Sequence, residues 1–396
     1  MSVEGGLRIE LHRQEDSIDQ VRILSTRPLQ LTRLFEGKPV EELLRMIPML
    51  YSVCATAQAC ASVQACRQAL RLDTDRQAAL AEQMLVTVET AREHLWRILI
   101  DWSGFAGIPI DRPLVASLSI LIPRAKQACF GNGDLFTLKP VLQLDQKSFA
   151  SIIEQIANIG THAVFGIQPS AWYAMDSMGS FNRWLDEGAT IASQLLRRLR
   201  DRELGHLGDG GSFLLPDIAP QAMSQRLARA DADRFIAAPD WEGNTYETNP
   251  LARQAFHPLL QHLNRHFGSG LMTRMVARLL ELASIPDQLS DQLSAQLVGL
   301  AGEQVGAKEK PSVDGQQGLG EVEAARGRLI HRAVQQDGVI TSYQILAPTE
   351  WNFHPQGVVA RGLQGLPAEN ESLLKHQADL FINAVDPCVG YQLEIA

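Results

Sequence analysis

Residues 54–72 are rich in alanine and glutamine and contain no glycine or proline. Residues 78–102 form a second strong helical run, with Met84, Leu85, Val88, Leu95, Ile98 and Leu99 at helical spacing. Two long helices in series must bury apolar stripes against other elements, so the chain reads as mostly α. Further helices are expected at 148–160, 187–204, 251–267, 270–283 and 369–384. Another begins at Pro39 and carries Val40, Leu43, Leu44 and Ile47 until Pro48 kinks or breaks it. Extended segments are confined to the two ends. Residues 7–12 and 20–24 alternate around the turn-prone stretch 14–17, the pattern of a β-hairpin, and short extended runs return after Gly338. Between 299 and 320 lie six glycines among charged and polar residues, which predict a flexible loop. At 396 residues, 45% of them hydrophobic, the chain can bury a sizeable core without staples. The expected class is α+β, mostly helical with small β elements.

A formal net charge of −9 at pH 7 disfavours nucleic-acid binding through phosphates. The start, Met1-Ser2-Val3-Glu4-Gly5-Gly6, has an acid where a signal peptide needs basic residues, and no apolar region follows. No stretch approaches the roughly 18 apolar residues of a membrane span. A cytoplasmic protein that binds neither membrane nor nucleic acid is expected. The five cysteines, an odd count, predict reduced or metal-bound thiols rather than a disulfide framework.

No GxGxxG, Walker A, HExxH or GxSxG motif occurs, which removes the commonest nucleotide, zinc-protease and serine-hydrolase signatures. Cys54, Cys60 and Cys66 would point at about 0°, 240° and 120° on a straight helix, too divergent for one metal. Cys60, Cys66 and Cys129 are read as buried small residues. Cys54 follows Pro48 at an expected helix N-terminus, where the dipole would lower its thiol pKa. His257, His262 and His266 lack a carboxylate or cysteine partner and fit a plain amphipathic helix. Near the C-terminus, Pro387 biases Asp386 toward extended geometry and presents Cys388 rigidly.

Five segments, in order along the chain, resemble the large subunit of [NiFe]-hydrogenases. Val3-Glu4-Gly5-Gly6-Leu7-Arg8-Ile9-Glu10 resembles the family's IEGHLRIE. Met49-Leu50-Tyr51-Ser52-Val53-Cys54, with Gln58 after it, resembles RxCGxC and its trailing His or Gln. The stretch from Glu323 through Arg326 and Gly327 to His331 resembles EAPRGxLxH, Pro348-Thr349-Glu350-Trp351-Asn352 resembles PTTWN, and Asp386-Pro387-Cys388-Val389-Gly390-Tyr391 resembles DPCxxC. The resemblance implies a single large-subunit-like domain spanning 1–396.

The departures are as informative. In the family four thiolates hold nickel and iron; here Tyr51 and Tyr391 replace one cysteine of each pair, Met49 replaces the arginine, and Glu394 stands where a histidine is expected. Phenols are hard, high-pKa ligands, so a four-thiolate nickel site is not expected. With the chain ending at Ala396, the C-terminal peptide cleaved from catalytic precursors is also expected to be missing. This pattern resembles the hydrogenase expression/formation proteins of the HupK/HoxV type, which assist maturation without catalysis. That resemblance implies transient binding of an Fe(CN)2CO fragment without nickel. Cys54 and Cys388 would be metal ligands, Arg326, Pro348 and Thr349 would contact the diatomic ligands, and the partners would be Hyp-type accessory proteins and the immature hydrogenase large subunit. A divergent hydrogenase or hydrogen sensor, with Glu4 in proton transfer, and a metal-free assembly chaperone are the alternatives.

Overall fold

Small residues at every fourth position decide how the N-terminal half packs. A computed structural model describes residues 5–300, apart from Asp134 and Ser212, and residues 316–396. Strands β1 (Leu7–Gln14) and β2 (Ser17–Ser25) form the expected hairpin, with Leu7, Ile9, Leu11, Ile18 and Ile23 turned inward. Helix α1 (Val40–Leu50) leads into α2 (Ala55–Ala69), which carries Ala57, Ala61, Ala65 and Ala69 along one buried face. Helix α3 (Arg76–Arg97) continues through a wider π turn at Ile98–Trp102 into Ser103–Ala106. Helices α4 (Gln146–Ile159), α5 (Ile191–Asp201), α6 (Pro258–Phe267) and α7 (Leu271–Leu300) follow, with shorter helices between. The helical core gathers around α3 and α7, where Met84, Leu85, Val88 and Leu95 meet Met272, Val276, Leu279 and Leu280.

A three-stranded antiparallel sheet then forms from β3 (Gln317–Ala324), β4 (Gly327–Gln336) and β5 (Val339–Leu346). Strand β3 lies directly on the alanine face of α2. A Cβ at Gly318 would stand 2.1 Å from the Ala65 carbonyl oxygen, and one at Gly320 would stand 1.9 Å from that of Ala61. Glycine on the strand and alanine on the helix are therefore two halves of one close contact. The chain ends with α8 (Pro348–Asn352), α9 (Glu371–Val385) and β6 (Tyr391–Ile395), which pairs parallel to β1 with Leu7 opposite Tyr391 and Leu11 opposite Ile395. Both ends of the described chain thus share one sheet.

Several expected boundaries are corrected. Pro48 does not break α1, which runs through it to Leu50. The helix expected at 187–204 is Ile191–Asp201, capped by the Thr190 hydroxyl, and Met178–Glu187 is a separate helix. The run expected at 251–267 is divided into Pro250–Arg253 and α6, because Pro258 starts a new first turn. The helix expected at 270–283 runs on to Leu300 through Pro286. Of the loop expected at 299–320, residues 301–315 lie outside the described residues, while Gly318 and Gly320 belong to β3.

Candidate functional site

Cys54 is the residue at the start of α2. Its carbonyl accepts the Gln58 N–H at 3.0 Å, while its side chain makes no capping bond. That task falls to Glu89 of α3, whose carboxylate accepts the N–H groups of Thr56 and Ala57 at 2.8 and 2.9 Å. A buried carboxylate therefore faces the positive end of α2. Gln58, one turn on, points its Nε2 at the Cys54 sulfur at 3.7 Å.

The opposite wall is built where α9 ends. Asp386 closes the helix at φ 69°, a left-handed conformation rare for a residue other than glycine. Its buried carboxylate accepts hydrogen bonds from Arg326 Nε at 3.1 Å and Arg278 Nη2 at 3.3 Å, and forms an ion pair with Arg97 Nε at 2.8 Å. Burial opposes its ionisation, but the three guanidinium groups outweigh burial and hold the carboxyl far below the usual range. Two residues later the Cys388 sulfur lies 2.8 Å from the Thr349 hydroxyl, and the Cys388 N–H also donates to that hydroxyl at 3.3 Å.

Arg326 and Thr349 arrive from two segments tied together by Asn352. Its side chain accepts the Thr248 N–H at 2.8 Å and donates to the carbonyl oxygens of Thr248 and Arg326 at 2.9 and 3.0 Å. Gly327, at φ 126°, has no room for a Cβ, which would stand 2.0 Å from the Thr248 oxygen. Pro348 is buried in the first turn of α8 and sets the short helix that carries Thr349. Arg326 then spans the centre, with its Nη1 on Glu93 at 3.0 Å and its Nε on Asp386.

Charge couples these walls. Burial pushes the Cys54 thiol up, Cys388 and Glu89 push it further, and Arg326 and the Gln58 hydrogen bond offset only part of this. Burial weakens the Arg326 charge, but Asp386, Glu93 and both thiols more than restore it. A cavity of about 310 Å³ opens between the two cysteine segments, lined by Ser52 and Val53 on one side and Cys388, Val389 and Tyr391 on the other.

A sequence model of the nickel-dependent hydrogenase family matches residues 171–388, more than half of the chain. The chain belongs to the nickel-dependent hydrogenase family. It is 28% identical over 385 residues to the hydrogenase expression/formation protein HoxV of Cupriavidus necator, covering 94% of this chain and 92% of that one. It is 26% identical to HupV of Azotobacter chroococcum, covering 99% and 98%. The hydrogenase-2 large chain of Escherichia coli matches at 28%, over 41% of this chain and 34% of that one. Among solved structures, the Ni-Fe-Se hydrogenase of D. vulgaris Hildenborough superposes with a TM-score of 0.66 at 14% identity, covering 96% and 95%. That of Desulfomicrobium baculatum gives 0.65 at 16%, covering 98% of each chain. The fold is the hydrogenase large-subunit-like α+β fold.

Within this family fold the structure brings Cys54, Cys388, Arg326, Thr349 and Pro348 to one place. Two expectations there are corrected. The helix terminus does not lower the Cys54 thiol, because Glu89 already occupies the dipole and burial dominates. Asp386 is left-handed rather than extended, held by its three arginines. Among the described residues no group of three or more His, Cys, Asp or Glu side chains is placed to hold a metal ion, so the thiols stand as a pair. Cys60, Cys66 and Cys129 are buried as expected, with burial pushing Cys66 and Cys129 up to about 12. His257 binds the Tyr173 carbonyl at 2.9 Å and His266 packs on Phe267, as for an ordinary amphipathic helix. Glu394 pairs with Arg8 at 2.7 Å, Met49 is 74% exposed, and Glu4 lies outside the described residues.

Sequence reasoning missed Arg27, Glu93 and Glu89. Arg27 forms a 2.6 Å ion pair with Glu350, next to Thr349, and its charge is reinforced by Glu350, Cys388, Tyr51 and Cys54 against the opposing effect of burial. Glu350 itself was a signal, since an acid inside a buried five-residue helix requires a cation.

Proposed function

We propose that this chain is a non-catalytic hydrogenase maturation factor, a scaffold or carrier that holds the Fe(CN)2CO unit as cargo before transfer to the immature large subunit. The observation that carries this reading is the pairing of two thiols, Cys54 and Cys388, beside the Arg326 guanidinium in a fold whose other two cysteine positions are Tyr51 and Tyr391. Low-spin iron carrying cyanide and CO wants soft thiolate donors, and cyanide nitrogens want charged or hydroxyl donors. Cys54 and Cys388 would supply the first. Arg326 would supply the second, joined by Thr349 once Cys388 turns its sulfur from the hydroxyl to iron, with Pro348 setting the position of Thr349. Two thiolates also suit release better than the four that hold nickel and iron together in the resembled site.

The relatives named as expression/formation proteins support a role in assembly rather than in hydrogen turnover. Hyp-type accessory proteins would load the cargo. No described helix is long and apolar enough to cross a membrane, and the acidic charge argues against a nucleic-acid partner, which suits assembly in the cytoplasm. A second reading, a metal-free assembly chaperone, is favoured by the bond that already engages Cys388 with Thr349.

Iron content separates the two readings. Protein purified without oxygen from a hydrogenase-making host should carry iron, and Cys54→Ala and Cys388→Ala should each lose most of it while keeping the wild-type melting profile. Iron content unchanged by both substitutions would overturn the carrier.

A further inference from the structure

Of the described residues that line the cavity between the two cysteine segments, Arg97 is the one with a permanently charged side chain. It is the last residue of α3, and its guanidinium is fixed from three sides. Nε forms the ion pair with Asp386 at 2.8 Å, Nη1 donates to Asp101 at 2.8 Å and Nη2 donates to the Pro387 carbonyl at 3.2 Å. That carbonyl belongs to the peptide joining Pro387 to Cys388, so the charge stands beside the residue that carries the sulfur. Its neighbours do not cancel it. One connected network runs from Arg92 through Glu93, Arg326 and Asp386 to Arg97, Arg278 and Asp101, and in it four guanidinium groups meet three carboxylates. Glu350 is matched by Arg27, and Glu89 by the positive end of α2, so neither offsets the surplus.

We propose that this cavity is an anion-accepting vestibule to Cys388 and that Arg97 selects what enters it. A small metal fragment with anionic, hydrogen-bond-accepting ligands is drawn in, and a free divalent cation is turned away. The identity of the cargo rests on the carrier reading; the sign of the charge at Cys388 does not. A pair of thiols would otherwise suit zinc. The two metals differ in what they add. With both thiol protons released to water, iron(II) with its two cyanides leaves the site two charges more negative, whereas a zinc ion leaves its charge unchanged. A positive wall favours the first outcome by Coulomb's law alone. At about 310 Å³ the cavity lies at the lower end of small-molecule sites, roughly 300–1,000 Å³, which suits a compact fragment.

Two methanethiosulfonate reagents of similar size, one ending in a sulfonate and one in a trimethylammonium group, test this on reduced, cargo-free protein. With either reagent the Cys388 thiolate attacks the sulfenyl sulfur, a mixed disulfide forms and methanesulfinate leaves. Both need the same thiolate, so its population cancels in the ratio of rates. With each rate divided by that of free cysteine and the label located on Cys388 by peptide mass, the anionic reagent should be favoured about tenfold. Arg97→Gln should bring the ratio close to one, Arg97→Lys should keep most of it, and a modest excess of zinc should not protect Cys388. A wild type with no anionic preference, no labelling of Cys388 by either reagent, protection by zinc, or an unchanged ratio in folded Arg97→Gln would each overturn the proposal. If Arg97→Gln does not fold, the wild-type ratio and the zinc result carry the test. Protein without iron would count against the carrier alone.

Discussion

Tyr51 replaces the first cysteine of the N-terminal motif and Tyr391 the second of the C-terminal motif, and their surroundings differ as well. Tyr51 is 5% exposed and packs with Phe35, Leu43, Ile47 and Tyr343 in the core beneath the sheet. Tyr391 is half-buried at the start of β6 and donates to Asp379 at 2.9 Å. The first substitution has been absorbed into the hydrophobic core, and the second into a strand end. The N-terminal half of the site is thus rigid framework, and the C-terminal half is a short segment hung between α9 and a three-stranded sheet. That segment is pinned chiefly by charge at Asp386.

The sharpest way to break this contrast is to remove the pin. Asp386→Asn leaves Arg326, Arg97 and Arg278 facing a neutral amide, and should destabilise the fold by about 3–5 kcal/mol, read as a large drop in melting temperature. A near-normal melt would show that the segment is held by packing instead. Next, Tyr51→Cys should cost about 3 kcal/mol through the cavity it leaves, whereas Tyr391→Cys should cost about 1 kcal/mol or less. Equal denaturation midpoints would erase the distinction between core and strand end.

A third prediction concerns pH. His331 is held neutral at about 3, below its ordinary 6.5, so the unfolded chain binds the extra proton between these values. Its contribution to stability is therefore intact above pH 6.5 and declines as pH falls toward 3. By pH 5 the loss from this residue is about 2 kcal/mol. His331→Gln should flatten the stability profile between pH 6.5 and 5; an unchanged slope would mean that His331 is not held neutral. Smallest of all, Met49→Arg restores the residue of the resembled motif at a 74% exposed position and should shift stability by less than about 0.5 kcal/mol.

Much of this was legible from sequence where local physics decided it. The alternation of residues 7–12 gave β1, and the alanine-rich stretch gave α2, because period and propensity agree there. Strand β3 was hidden because Gly318 and Gly320 signal flexibility locally, and only the face of α2 makes them necessary. Strand β6 was hidden because its partner β1 lies at the other end of the chain. Motif order singled out Cys54, Arg326, Thr349 and Cys388, which the structure gathers in one place. Arg27 and Glu89 could not be found that way, since each is defined by a partner distant in sequence, Glu350 in one case and the first turn of α2 in the other.

The central claim is that the two thiols hold an iron fragment, and infrared spectroscopy tests it most directly. Protein purified anaerobically from cells with active accessory proteins should show coupled cyanide and CO stretches that vanish in both Cys54→Ala and Cys388→Ala. Absence of those bands from folded wild-type protein, in cells whose hydrogenase is matured normally, would contradict the account.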